Sequence, residues 1–149
     1  MFNSFLFAIR VVLVASGVIL AEEDRGWAGN SYPSRAFGHS WITKISDEAL
    51  EKSPAWDAKS ENPPISARKA MALSQAAVER LVKPPDDHKR WFAGATLEKT
   101  QDGRRWFWRV EYIWLSKKGG TGGLPAQMVI IVLMDGKVLE PQVVENQVK

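Results

Sequence analysis

The sequence predicts an α+β fold, one helix packed on a four-stranded antiparallel β-meander, preceded by a signal peptide and a loop-rich segment. Three observations predict it. Residues 66–82 repeat apolar positions at the helical period. From Trp91 onward the period falls to two, and turn residues recur at short intervals. Ahead of both, an apolar run ends abruptly in acidic chain at Glu22-Glu23-Asp24.

The apolar run comes first. Phe5–Ile9 and Val11–Leu20 are apolar, with Arg10 between them. Val11–Leu20 has the length of the apolar centre of an export signal and is too short to span a bilayer alone. Residues 1–21 are therefore expected to be a signal peptide, with an uncleaved anchor as the alternative. No membrane span is expected after cleavage, and the expected location is periplasmic or secreted.

Residues 22–63 show little periodicity. Gly26, Gly29, Asn30, Ser31, Pro33, Ser34 and Gly38 mark a loop-rich stretch. One short helix is predicted inside it: Ser46 caps, Asp47 and Glu48 suit the positive end of its dipole, and Pro54 stops it. Trp27, Trp41 and Trp56 are unusual in a spacer, and they predict a strap packed on the domain that follows.

That domain is expected over residues 64–149. Ser66 is the predicted N-cap of its helix. Ala67, Ala70, Met71, Ser74, Ala77, Val78 and Leu81 form a narrow stripe rich in alanine, and Pro84-Pro85 ends it. Small residues let a helix sit close to a sheet whose own side chains are large. Trp91–Thr100 reads as a first strand with Trp91, Ala93, Ala95 and Leu97 on one face, and Gln101-Asp102-Gly103 as its turn.

Arg104–Ser116 reads as the second strand. Trp106, Trp108, Val110, Tyr112 and Trp114 share one face, and Arg105, Phe107, Arg109, Glu111, Ile113 and Leu115 share the other. Lys117–Gly123 is a glycine-rich loop. Ala126–Met134 is apolar on both faces, as a covered central strand would be. Asp135-Gly136 signals a tight turn, and Lys137–Val144 is the fourth strand, with Pro141 marking an edge or the end of pairing.

Composition excludes several classes of function. Charged residues are 25% and hydrophobic residues 45%, the balance of an ordinary globular protein. The formal charge of +3 comes from basic residues scattered among acidic ones, without the dense stripe of a nucleic-acid binder. With no cysteine, disulfides, thiolate zinc sites, thiol catalysis and a lipid-anchoring Cys are all excluded.

The residues Ile65-Ser66-Ala67-Arg68-Lys69-Ala70, Trp108-Arg109-Val110-Glu111-Tyr112 and Val129–Met134 followed by Asp135-Gly136-Lys137-Val138-Leu139 occur in a telling order. Helix, Trp-initiated strand, turn, aromatic strand, loop, strand and Asp-Gly together resemble the PepSY-like family of small exported bacterial domains, over about residues 64–144. The resemblance implies a module that binds or inhibits envelope proteins, peptidases among them, and it implies no catalytic residues.

Candidate chemistry is sparse. Asp86-Asp87-His88 offers oxygen and imidazole ligands but has no second spaced histidine, so it reads as a solvated turn. No nucleophile-elbow motif accompanies any serine. The Gly119–Gly123 run lacks the Gly-Lys-Ser/Thr order of a phosphate loop. No cofactor or metal is expected.

The face bearing Arg105, Phe107, Arg109, Glu111 and Ile113 is the predicted binding surface, because the helix is expected to cover the tryptophan row instead. Left bare, that face would exceed the apolar patch a monomer usually shows. The strap, a second copy in a homo-oligomer, or another protein would have to cover it. The expected function is an exported non-enzymatic module that binds an envelope protein or peptide. The alternatives are a carbohydrate or small-molecule binder using exposed Trp and, last, a metal-dependent enzyme using His88 with Asp86 or Asp87.

Overall fold

The structure is a computed structural model, and it describes residues 31–57, 59–119 and 125–144. The predicted signal peptide, Trp27 and most of the glycine-rich loop lie outside the described residues. Within them the chain runs β1 (Ser31–Ala36), β2 (His39–Lys44), α1 (Asp47–Lys52), α2 (Ala67–Leu81), β3 (His88–Lys99), β4 (Trp106–Ser116), β5 (Ala126–Leu133), β6 (Val138–Leu139) and β7 (Gln142–Val144).

These strands form one open antiparallel sheet in the order β3-β4-β5-β1-β2-β7, with β6 also paired to β5. The predicted four-stranded meander under one helix is thus corrected to a seven-stranded sheet with two helices among the described residues. Two stretches make the difference. Residues 31–44, expected to be loop, form the β1–β2 hairpin, turned by Phe37 (φ 49°) and Gly38 (φ 81°). The expected fourth strand is two strands. Val138 and Leu139 pair with β5, Pro141 interrupts, and Gln142–Val144 pairs with β2 instead.

Both helices begin as their sequences dictate. Ser46 Oγ accepts from the Ala49 amide, and Ser66 Oγ accepts from the Lys69 amide. α2 lays Ala70, Ser74, Ala77 and Val78 on the sheet, where they meet Trp108, Val110, Tyr112 and Trp114 of β4 and Met128, Ile130 and Val132 of β5. The helix face is small and the sheet face is large, so the layers fit closely. Polar atoms caught between them are satisfied: Tyr112 Oη lies 2.8 Å from Ser74 Oγ, and Trp108 Nε1 donates to Ile65 O at 3.1 Å.

A second cluster lies on the opposite face. Ile45 and Leu50 pack with Phe107, Val129, Ile131, Leu133 and Leu139, and Tyr32 and Ala49 flank them. Residues 31–53 therefore cover one end of the face that the helix leaves bare. β1 pairs with β5 only at Arg35↔Gln127, and earlier residues cross over the sheet. Tyr32 reaches Phe107, with ring centroids 6.1 Å apart, and then Glu98 on β3.

Where β1 leaves β5, Ser34 Oγ accepts from the Val129 amide at 2.9 Å, and past the end of the β4–β5 ladder Ser53 Oγ accepts from the Met134 amide at 3.0 Å. Both serines are buried. Ser34→Ala and Ser53→Ala each strand a buried amide, and each is expected to lower unfolding free energy by about 1–3 kcal/mol in urea titrations.

Candidate functional site

The predicted binding face divides into three zones along β4. At the covered end, Phe107 is only 2% exposed, and Arg105 Nη1 donates to Ser53 O at 3.1 Å. Both residues hold the N-terminal segment in place, and Phe107 presents no surface to a partner.

The middle zone is a polar belt. Arg109 bonds Glu98 at 3.1 Å and also bonds Glu111. Tyr32 Oη donates to Glu98 at 2.8 Å, and Gln127 Nε2 donates to Glu111 at 3.1 Å. Each carboxylate thus has two partners, and the belt joins four strands. Burial alone would lower the Arg109 pKa, but the bonds and charges of Glu98 and Glu111 outweigh it and hold it above its ordinary value.

Burial, and then the bond to Glu98, raise the Tyr32 hydroxyl well above its ordinary 10.0. A raised folded value means that the contribution is fully present below the ordinary value and is lost as pH rises toward the folded one. Stability is therefore expected to fall in alkaline solution. Tyr32→Phe should flatten that decline without abolishing it, because burial also raises Tyr112. Urea midpoints measured across alkaline pH for both proteins check this.

The third zone is open. Ile113 is half-buried, Leu115 is 44% exposed, and their partners on β3 are Trp91 and Lys89. Trp91 is 51% exposed and Phe92 45%. Adjacent in the strand, the two rings face opposite sides of the sheet. The ladder slips between Phe92 and Gly94, so that Phe92 faces Tyr112 while Ala95 faces Val110. This bulge reverses the alternation. Arg90 and Phe92 share the helix face with Ala95 and Leu97, and Trp91 lies on the opposite face. The expected grouping of Trp91 with Ala95 and Leu97 is corrected accordingly. Gly94, isolated inside a strand, was the signal available in the sequence.

Among the described residues β3 is also the terminal strand of the sheet. Thr100 N donates to Arg105 O at one end of its ladder, and Lys117 N donates to Asp87 O at the other. Antiparallel alternation between these ends places the ladder bonds on Lys89, Trp91, Gly94, Thr96 and Glu98. The N–H and C=O groups of Arg90, Phe92, Ala95, Leu97 and Lys99 then point outward from the sheet. The candidate site is this free edge, with a large ring on either side of it.

The remaining candidates are accounted for by local contacts. Asp87 Oδ1 lies 2.8 Å from His88 Nδ1, and the His88 ring meets Phe37 edge-on at 5.0 Å. Among the described residues, no group of three or more His, Cys, Asp and Glu is placed to hold a metal. A cleft of about 520 Å³ between α1 and the β3–β4 turn is lined by charges of both signs, with Asp47, Glu51 and Asp102 beside Arg104 and Arg105. Asp102 there is engaged by Thr100 and Arg104, bonds that lower its pKa to about 2. Trp41 is buried in the helix-face core, and Trp56 packs edge-on against Trp106 at 5.1 Å. No helix among the described residues is long and apolar enough to cross a membrane. No family model, no curated protein and no solved structure matches the chain.

Proposed function

We propose that this chain is an exported, non-enzymatic binding module of the bacterial envelope that receives an extended protein or peptide segment along the free edge of β3. The observation that carries the reading is Trp91 and Phe92, both about half exposed, on opposite faces of a terminal strand. An added strand sends its side chains alternately to the two faces, so both rings would gain contacts at once. Main-chain bonds to the outward groups of Ala95, Leu97 and Lys99 would supply affinity. A strand shielded only against aggregation carries bulges and lysines, and β3 has these, but such a strand has no use for two exposed rings. The leader-like residues 1–21 support export, and the PepSY-like pattern of the helix and strands supports binding over chemistry.

Stacking of a sugar on Trp91 is the second reading, favoured by the exposed ring. Against it, the Lys89 ammonium lies over that indole, 5.2 Å from its centroid.

Ala95→Pro tests strand addition. Proline is tolerated at edges where the amide faces solvent, and Ala95 donates to no neighbour in the sheet. The variant is expected to fold and to lose binding of extended peptides selected from a random library. Methylating alternate backbone nitrogens of a selected peptide should have the same effect on the unmodified protein. Binding that survives both changes sinks the proposal.

A further inference from the structure

We propose that the segment received by β3 has an apolar centre and acidic ends, its carboxylates pairing with Lys89 and Lys99; this rests on the strand-addition reading above. The charges of β3 sort into spent and unspent. Arg90 is bound by Glu79 at 2.9 Å, and Glu98, the strand's only acid, is bound by Arg109 and Tyr32. Among the described residues, no carboxylate pairs with Lys89 or Lys99. What remains on the edge is two positive charges near its two ends.

Each of these ammonium groups is held over an indole. Lys89 Nζ lies 5.2 Å from the Trp91 ring and Lys99 Nζ 5.2 Å from the Trp106 ring. Such contacts hold the long side chain close to its bound position, so less freedom is lost when an anion arrives. Both residues are exposed, and the bulge leaves them on opposite faces of the strand. At about 3.3 Å per residue they stand roughly 30 Å apart, the span of an extended peptide of nine or ten residues. Between them lie Trp91, Phe92, Ala95 and Leu97, which favour apolar partners. A second copy of this chain fits poorly, because its own β3 edge would bring two more unpaired lysines. Complementary charge therefore favours an acidic peptide.

The test uses the full chain and three fluorescently labelled decapeptides that share an alternating Val-Thr centre and carry Glu, Gln or Lys at both ends. Anisotropy at low salt is expected to show the Glu-ended peptide binding at least tenfold more tightly than the Lys-ended one, with the Gln-ended peptide between. Added salt should shrink that ratio, and the double variant Lys89→Gln/Lys99→Gln should remove it. Equal affinity for the Glu- and Gln-ended peptides overturns the acidic preference while leaving strand addition in place. Failure of all three peptides, with the wild type and Ala95→Pro behaving alike, overturns both readings. Binding confined to phosphatidylglycerol vesicles and unaffected by Ala95→Pro also overturns both, since a lipid surface would then be the ligand.

Discussion

Phe107→Ala is expected to destabilise the protein by about 3–5 kcal/mol, read as a lower urea midpoint at unchanged slope. The side chain is 2% exposed and sits among Leu50, Ile131 and Leu133, with Tyr32 against its ring. Truncation opens a cavity between the sheet and the N-terminal segment that covers it. Had Phe107 been a contact awaiting a partner, the same change would leave stability within about 0.5 kcal/mol of wild type, as surface substitutions do. Ile113, in the third zone of the same strand face, is the internal control. It is half-buried at the open end, and Ile113→Ala should cost far less.

The second large effect is expected at Trp114. This ring is 2% exposed in the helix-face core, and Phe37 meets it edge-on at 5.8 Å. Phe37 holds a φ of 49°, a left-handed conformation that bulky residues rarely adopt. Its contacts with Trp114 and His88 offset the strain at that turn. Trp114→Ala is expected to cost about 3–5 kcal/mol. A double-mutant cycle with Phe37→Gly should return a coupling of about 0.5–1.5 kcal/mol beyond simple area loss. A coupling near zero would mean that the hairpin turn is held by its backbone alone.

Local signals made some of the fold legible in the sequence, while contacts between distant residues decided the rest. Both helices could be read because capping serines, the small-residue stripe and terminal prolines act within a few residues. The tryptophan row of β4 could be placed under α2 because alternation needs no knowledge of the partner. The β1–β2 hairpin was hidden by Pro33, Ser34 and Gly38, which look like loop. Alternation about the turn leaves the Pro33 nitrogen facing away from β2, on the side where β1 has parted from β5, so the missing donor is harmless.

The division of β6 from β7 depends on which neighbours, β5 and β2, stand on either side of Pro141, and no local pattern encodes that. The same holds for the site. Arg105, Phe107, Arg109, Glu111 and Ile113 share one face, as alternation requires. What covers them is set by Tyr32, Ile45, Leu50 and Ser53, far away in sequence. Which of the two adjacent rings, Trp91 or Phe92, shares the helix face with Ala95 and Leu97 was legible only by reading Gly94 as the mark of a bulge.

The claim on which the functional account stands is that the outward amides of β3 are free and that a partner strand engages them. Amide hydrogen exchange followed residue by residue tests this directly. In the free protein the amides of Ala95, Leu97 and Lys99 should exchange quickly, while those of Thr96 and Glu98, bonded to β4, exchange slowly. Adding the Glu-ended decapeptide should slow the first set and leave the second nearly unchanged. Outward amides that are already protected in the free chain, or that stay fast when the peptide is bound, would contradict the account.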